Sequence, residues 1–168
     1  SYSHENTTQS GLASFVSHAI LQLDKTYKSV GNIDMVIVQG DTNSALAGAM
    51  AAFYNHIPIA HVEAGLRTNH MQAPYPEEAN RKTIDSLSSL CFAPTNDAKE
   101  ALLAENIPID KIYVTGNTVI DAVNTILKLE LTDPQIQFLE SLPVSPRYRP
   151  GELQHVIIST HRRENFGP

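Results

Sequence analysis

The 168-residue sequence predicts an α/β fold in which a mainly parallel β-sheet is flanked by helices. Two observations lead to this class. Short apolar runs without polar alternation, such as residues 35–38, are typical of strands buried on both faces of a parallel sheet. Segments with helical periodicity separate these runs, so strands and helices alternate along the chain as they do in α/β domains.

A long amphipathic helix is predicted before the first strand. Apolar side chains recur at steps of three and four residues from Leu12 to Tyr27, which places them on one helix face. Ser10 can cap the start of this helix, and Gly31 can end it. After the strand at residues 35–38, the predicted elements are a helix at 44–55, a strand at 57–60, a helix from 77 to about 90, a strand at 90–93, a helix at 97–105, a strand at 112–114, a helix at 118–131 and a short helix from 133.

Two domains are expected. Residues 1–116 supply most of an N-terminal domain, and residues 117–168 supply linker helices and the start of a second domain. Three prolines and Gly151 predict an irregular linker over residues 141–152. The apolar run at residues 155–159 then predicts a further strand.

Composition and charge exclude several classes of protein. The net charge of −6 argues against a general nucleic-acid-binding protein, and no apolar run is long enough to span a bilayer. The single cysteine, Cys91, lies in an apolar run and is expected to be buried, so neither a disulfide nor a cysteine-based zinc site is expected. No histidines are paired as in HExxH, and neither GxGxxG nor GxxxxGK(S/T) occurs. We therefore expect a cytoplasmic protein without a metal ion or a nicotinamide cofactor.

Polar residues follow several predicted strands at the point where each strand ends. Asp41 follows the first strand, His61 and Glu63 follow the next, and His161 follows the last. In open α/β sheets, ligands bind beyond the carboxyl ends of the strands. The pattern therefore predicts a ligand site that combines carboxylates with histidines.

The segment GDT connects the first strand to a helix rich in small residues. Asp41 in this segment could receive a sugar or a phosphate group. Alternatively, Asp41 or Thr42 could cap the following helix, and the local sequence does not decide between these interpretations.

The motif HVEAGLR offers a general acid or base in Glu63 and a partner for phosphate or carboxylate in Arg67. Gly65 allows a close backbone approach or a positive φ. The competing interpretation is an ion pair between Glu63 and Arg67, which are four residues apart.

Two further motifs combine acids with bases. In PEEANR, Glu77 and Arg81 share one helix face, an arrangement that surface salt bridges also show. THRREN follows a predicted strand, and its basic side chains suit a diphosphate, although a solvated charged loop has the same composition. The residues of THRREN with candidate roles are His161, Arg162, Arg163 and Glu164.

In their order and spacing, these motifs resemble the non-hydrolysing UDP-N-acetylglucosamine 2-epimerases. The matching blocks are VIVQGDTNSALAGAMAAFYNHIPIAHVEAGLRT, APYPEEANRKTIDSLSSLCFAPT, IYVTGNTVIDAV and STHRRENFG. The resemblance covers nearly the whole chain but only about half of such an enzyme. The chain is therefore expected to be a fragment from the middle of an epimerase and to be catalytically inactive alone.

The resemblance implies a fold and a reaction. The fold is a Rossmann-like parallel sheet within a partial GT-B-type architecture of two domains, with the active site between the domains. The reaction interconverts UDP-GlcNAc and UDP-ManNAc at C2 through elimination of UDP, a 2-acetamidoglucal intermediate and re-addition of UDP. It needs no cofactor or metal ion, and the full-length enzyme is expected to be a homodimer that binds a UDP-sugar but neither nucleic acid nor membrane.

The resemblance also implies roles for individual residues. Asp41, Glu63 and Glu77 are carried over as catalytic carboxylates, and His161 meets UDP or assists the chemistry. Arg81 belongs to the same pocket. The remaining substrate-binding candidates are Arg67, Arg162, Arg163 and Glu164, of which Arg162 would serve an adjacent regulatory site for UDP-GlcNAc in bacterial members.

The sequence also departs from the family pattern. Tyr75 stands where many relatives have Trp, and the first strand with its glycine- and arginine-bearing loop is missing. Three other interpretations therefore remain open. They are a hydrolysing UDP-GlcNAc 2-epimerase, a GT-B glycosyltransferase and a non-catalytic fragment that binds sugar nucleotides.

Overall fold

The structure, a computed structural model, describes residues 9–141. The chain divides into two compact units, Ser1–Asn117 and Thr118–Pro168, which are described separately below. The predicted linker and the predicted strand at residues 155–159 lie outside the described residues, as do the four candidate residues of THRREN.

The first unit is built on a parallel sheet of four strands in the order β1-β2-β3-β4. One helix precedes the first strand, and one helix follows each of the first three strands. This alternation confirms the α/β class. The elements are α1 (Gln9–Val30), β1 (Val36–Gln39), α2 (Asn43–Tyr54), β2 (Ile59–Val62), α3 (Glu77–Leu87), β3 (Leu90–Ala93), α4 (Asn96–Ala104), a 3-10 turn (Ile109–Lys111) and β4 (Ile112–Val114).

The core of this unit lies between the sheet and its helices. Small side chains of α2, among them Ala49 and Ala52, pack with Val38, Ile59 and Ile84. Their size lets the helix lie close to the strands, as the alanine-rich sequence predicts. A second cluster lies against α4 and consists of Ala64, Cys91, Ala93, Ala98, Leu102 and Ile112, so the predicted burial of Cys91 is confirmed.

The prediction that the first strand is buried on both faces is wrong. Val38 is 8% exposed and packs in the core, whereas its neighbour Ile37 is 68% exposed. Successive side chains of a strand point to opposite faces. The helices therefore cover only the Val38 face of β1, and this edge strand has an open apolar face.

Most helices end close to where the sequence predicts, and the observed caps differ from the predicted ones at a few positions. Helix α1 begins at Gln9, so Ser10 lies inside the helix and does not cap it. Gly31 ends α1 with φ +71° and donates its backbone N–H to the Tyr27 carbonyl oxygen. Thr95 caps α4 by accepting a hydrogen bond from the Ala98 N–H.

The second unit contains two described helices, α5 (Thr118–Ile126) and α6 (Asp133–Ser141). The predicted helix at residues 118–131 therefore ends five residues early. Apolar side chains of α5, such as Val119, Ile120 and Val123, are exposed. Among the described residues, no helix combines the length and apolar character needed to cross a membrane.

Candidate functional site

Asp41 lies directly beyond β1, and its carboxylate accepts a hydrogen bond from the Arg81 guanidinium. The cap of α2 is Thr42, whose hydroxyl oxygen accepts from the Ala45 N–H at 3.2 Å. The capping alternative therefore applies to Thr42, and the Asp41 carboxylate is left for other contacts. Asn80 holds this turn by donating to the Asp41 carbonyl oxygen at 2.8 Å.

Glu63 follows β2 with an unusual backbone, because its φ is +72°. Hydrogen bonds from the Glu63 and Ala64 N–H groups to the Phe92 carbonyl oxygen, both 3.1 Å, hold this turn in place. The carboxylate reaches back over β1, since a Cβ added to Gly40 would lie 3.7 Å from Glu63 Oε2. The two carboxylate-bearing segments after β1 and β2 are therefore neighbours.

The adjacent acids that begin α3 have different environments. Glu77 is partly exposed, whereas Glu78 is fully buried. Glu78 accepts hydrogen bonds from the backbone N–H groups of Thr68 at 3.1 Å and Asn69 at 3.0 Å. Burial alone would raise the pKa of Glu78, but these bonds and the nearby Arg81 charge outweigh it and lower the pKa. Glu78 therefore anchors the loop after HVEAGLR as a buried carboxylate, whereas Glu77 is half-buried.

Arg81 links two acids from different segments. Its guanidinium pairs with Asp41, and its Nη1 lies 3.5 Å from Glu78 Oε2. Within the described residues its acidic partners are these two, so the alternative of a surface salt bridge with Glu77 is not what the structure shows. The side chain is 11% exposed, and its Nε is buried without a hydrogen-bond partner in the described part of the chain. An unpartnered buried N–H is uncommon in folded proteins, so this one marks a donor that the described residues leave unsatisfied.

The Arg67 side chain is bound by other residues of the protein. Its side chain is 4% exposed and donates two hydrogen bonds to Glu105, at 2.9 and 2.6 Å, and one to the Leu66 carbonyl oxygen at 2.8 Å. It also pairs with Asp85 at 2.8 Å. Burial opposes its positive charge, but these partners outweigh burial and raise the Arg67 pKa. The substrate-binding role of Arg67 stays a prediction, and the alternative ion pair with Glu63 is replaced by these contacts.

Glu105 completes this network from the end of α4. Hydrogen bonds from Arg67 lower the Glu105 pKa to about 2, and a bond from Lys82 adds to this effect against partial burial. The Lys82 Nζ lies 2.6 Å from Glu105 Oε1. Helices α3 and α4 and the HVEAGLR loop are thus joined by charged groups.

His61, which was predicted to follow the second strand, lies inside β2 and forms a fully buried pair with Asp85. His61 Nδ1 lies 2.6 Å from Asp85 Oδ1, and its Nε2 lies 2.9 Å from the Gly40 carbonyl oxygen. The second oxygen of Asp85 accepts the Gly65 N–H at 3.2 Å.

The sequence interpretation did not assign Glu78, Asp85 or Glu105 to the site. A signal for the first two was present, since Glu78, Arg81 and Asp85 are spaced by three and four residues and share one face of α3. That face is buried, and charged residues on a buried helix face are expected only where they are paired. Glu105 carried no such signal, because the residue that it contacts, Arg67, is 38 positions away in the sequence.

The described residues contain no cluster of three or more side chains suited to bind a metal ion. The site instead offers the carboxylates of Asp41 and Glu63 beyond adjacent strands, together with the buried Arg81 cation. Such a set can move protons to and from a ligand and stabilise negative charge on it.

Comparison with known proteins identifies the family. The sequence profile described as UDP-N-acetylglucosamine 2-epimerase matches residues 2–168. The chain belongs to this epimerase family.

Epimerases from several bacteria are similar to the chain. The enzyme of Bacillus subtilis is 42% identical over 156 residues, which are 93% of this chain and 38% of the relative. The enzyme of Neisseria meningitidis is 47% identical over 135 residues, or 80% of this chain and 35% of the relative. The chain thus spans little more than a third of the length of these relatives.

Solved epimerase structures share the fold. The UDP-GlcNAc-bound epimerase of Neisseria meningitidis has a TM-score of 0.73 and 44% identity, covering 79% of this chain and 36% of its own. The enzyme of Methanocaldococcus jannaschii in complex with UDP-GlcNAc and UDP has a TM-score of 0.71 and 42% identity, covering 75% of this chain and 34% of its own. These matches confirm the α/β fold and the partial architecture expected from the family.

Proposed function

We propose that the full-length protein containing this chain interconverts UDP-GlcNAc and UDP-ManNAc by the non-hydrolysing route. One observation carries the proposal. Asp41 and Glu63 lie beyond the ends of the neighbouring parallel strands β1 and β2, and a buried arginine with an unpartnered N–H, Arg81, contacts Asp41. Solved relatives with 44% and 42% identity were crystallised with UDP-GlcNAc, which supports the same substrate class here.

The chemistry requires a base and an acid on opposite faces of the sugar. A base removes the C2 proton while the C1–O bond breaks and UDP leaves, which gives 2-acetamidoglucal. The proton then returns to C2 from the other face, and UDP adds back to C1. Asp41, Glu63 and Glu77 come from three different segments and are proposed to supply these groups.

Arg81 is proposed to stabilise negative charge as UDP leaves. Its guanidinium is held by Asp41 and Glu78, and the exposed 11% of its side chain is the part that could meet the leaving diphosphate. The family resemblance supports a role in catalysis or substrate binding for four further residues, which lie outside the described residues: His161, Arg162, Arg163 and Glu164.

Deuterium exchange tests this function directly. The full-length protein is incubated with UDP-GlcNAc in deuterated water, and the sugar is followed by NMR. We expect UDP-ManNAc with deuterium at C2. Free ManNAc with UDP would instead identify a hydrolysing epimerase, and transfer to an acceptor without C2 exchange would identify a glycosyltransferase.

The carboxylate assignment is tested by Glu63→Gln and Glu77→Gln in the full-length protein. Each change keeps the shape of the side chain and removes its proton-transfer capacity, so we expect at least a 100-fold loss of C2 exchange. Glu100→Gln, at an exposed carboxylate on α4, is the matched control and should retain full exchange. Wild-type turnover in either site variant would remove that residue from the catalytic set.

The proposal includes a homodimer, as the family resemblance implies, and a cytoplasmic location, as the composition indicates. Light scattering on the purified full-length protein measures its mass in solution. A monomer at micromolar concentration would contradict the dimer without affecting the proposed reaction.

A further inference from the structure

We propose that His61 and Asp85 are positioning residues that fix the Asp41 segment against the Glu63 segment. This inference rests on the proposed function, because it concerns the geometry of the same carboxylates. It concerns two buried residues that touch no substrate. The strand-end pattern had placed His61 at the ligand site itself, and no motif assigned Asp85 to it.

The first link runs from His61 to β1. His61 lies in the middle of the sheet, paired in register with Val38 on one side and Cys91 on the other. Its Nε2 lies 2.9 Å from the Gly40 carbonyl oxygen. A carbonyl oxygen only accepts hydrogen bonds, so Nε2 carries a proton and donates it to Gly40, the residue immediately before Asp41.

The second link runs from His61 to α3. Its Nδ1 lies 2.6 Å from Asp85 Oδ1, which is within hydrogen-bond distance. The other oxygen, Asp85 Oδ2, accepts the Gly65 N–H at 3.2 Å and pairs with Arg67 at 2.8 Å. Gly65 and Arg67 follow Glu63 by two and four residues.

These bonds form one continuous connection from Gly40 through His61 and Asp85 to Gly65. One end is adjacent to Asp41, and the other lies two residues after Glu63. Both central side chains are completely buried, so neither can touch the sugar nucleotide. Their effect on the reaction must therefore act through the placement of the two carboxylate segments.

Stability alone does not account for polar groups at this position. Neighbouring buried positions of the sheet hold Ile59, Cys91 and Ala93, and a well-packed apolar residue is often at least as stabilising as a buried ion pair. A hydrogen-bonded pair, unlike an apolar contact, fixes distance and direction. A misplacement of about 1 Å between catalytic groups reduces turnover by about 100-fold.

Three substitutions of His61 in the full-length protein separate the two links. In His61→Asn the amide nitrogen can occupy the position of Nδ1 and keep the bond to Asp85, but the bond to Gly40 is lost. In His61→Gln the amide nitrogen can occupy the position of Nε2 and keep the bond to Gly40, but the bond to Asp85 is lost. His61→Leu removes both bonds while filling a similar volume.

We expect His61→Leu to lower kcat for C2 exchange by about 100-fold, with KM for UDP-GlcNAc changed less than about threefold. His61→Asn and His61→Gln should each recover part of this loss. The matched control is Ile84→Val, which alters a fully buried neighbour of Asp85 without touching the connection and should keep wild-type kcat. Unfolding midpoints are recorded so that kcat is compared only between fully folded samples.

A wild-type kcat in folded His61→Leu would overturn the inference. If that variant does not fold, wild-type kcat in both His61→Asn and His61→Gln would overturn it. If the wild-type protein itself shows no C2 exchange, the proposed function fails, and crystal structures of the wild type and His61→Asn then decide. An unchanged separation between the Asp41 and Glu63 carboxylates would refute positioning, and an altered separation would support it.

Discussion

At the scale of single residues, the HVEAGLR motif combines a catalytic candidate with a backbone constraint. Gly65 has φ +85°, and a Cβ at this position would lie 2.3 Å from the Ala98 carbonyl oxygen. The loop is thus pressed against α4, and glycine is required for space as well as for conformation.

Gly65→Ala should therefore destabilise the full-length protein strongly, by roughly 2–4 kcal/mol, because overpacking adds to the cost of a positive φ. Gly31→Ala is the matched control, since Gly31 has φ +71° and no atom within 4 Å of the added Cβ. Only the conformational cost of about 1 kcal/mol should appear there. Urea unfolding measures both, and equal losses would contradict the close contact with Ala98.

The sequence identified the catalytic candidates at this scale but not their partners. Residue type and position after a strand made Asp41 and Glu63 candidates, and the family resemblance then favoured a catalytic role over a helix cap or an ion pair. The contact between Arg81 and Asp41 is 40 residues away in sequence, so no local pattern contains it. For the same reason, the sequence could not show that Arg67 is occupied by Asp85 and Glu105.

At the scale of elements, helices α3 and α4 are joined by a charged network that the individual helices do not predict. Arg67 and Lys82 both hydrogen-bond to Glu105, at 2.9 and 2.6 Å from its Oε1. Arg67 also reaches Asp85 on α3. The loop that carries Glu63 is therefore held between two helices.

This network makes the stability of the protein sensitive to acid. The Glu105 pKa falls from 4.5 to about 2 in the folded state, chiefly through Arg67. The carboxylate therefore stabilises the fold fully above about pH 4.5, and this contribution is lost as the pH falls through 2. The shift corresponds to roughly 3 kcal/mol, which partial exposure of Glu105 reduces to about 2 kcal/mol.

At pH 6, Glu105→Gln should lower the free energy of unfolding by this amount. Between pH 4.5 and 2, the free energy of unfolding of the variant should depend less on pH than that of the wild type. Urea unfolding at a series of pH values measures the effect, with Glu100→Gln as an exposed control on the same helix. Acid profiles that coincide for wild type and Glu105→Gln would show that the Arg67 contact does not stabilise the fold.

Predicted and observed element bounds agreed best where a clear residue signal marked the end of the element. Strands β3 and β4 have the predicted bounds, because each apolar run is closed by a proline or a glycine within two residues. Strand β1 was placed correctly to within one residue, but its two-face burial was not observed. Burial depends on what packs against a strand, and the apolar sequence of β1 does not contain that information.

At the scale of the whole molecule, the chain corresponds to 35–38% of the length of its bacterial relatives. Its first unit contains the five candidate residues that the structure describes, which are Asp41, Glu63, Arg67, Glu77 and Arg81. The fold of this unit was predictable from periodicity. The GT-B-type arrangement was predictable only through the family resemblance, because periodicity describes single helices and strands and not the arrangement of domains.

The 168-residue chain alone should therefore produce no UDP-ManNAc under conditions in which the full-length protein reaches equilibrium. The isolated chain contains the candidate carboxylates but spans little more than a third of the length of the related epimerases. The deuterium-exchange assay measures both samples, with full-length Glu63→Gln as the inactive reference. Turnover by the isolated chain would show that it is sufficient for catalysis.

The backbone of Glu63 has a consequence for protein engineering. A side chain at φ +72° costs about 1 kcal/mol relative to glycine, which adopts this conformation freely. Random libraries screened only for heat resistance should consequently enrich glycine at position 63 and lose the proposed acid or base. For this family member, selection should therefore be applied to turnover together with thermostability.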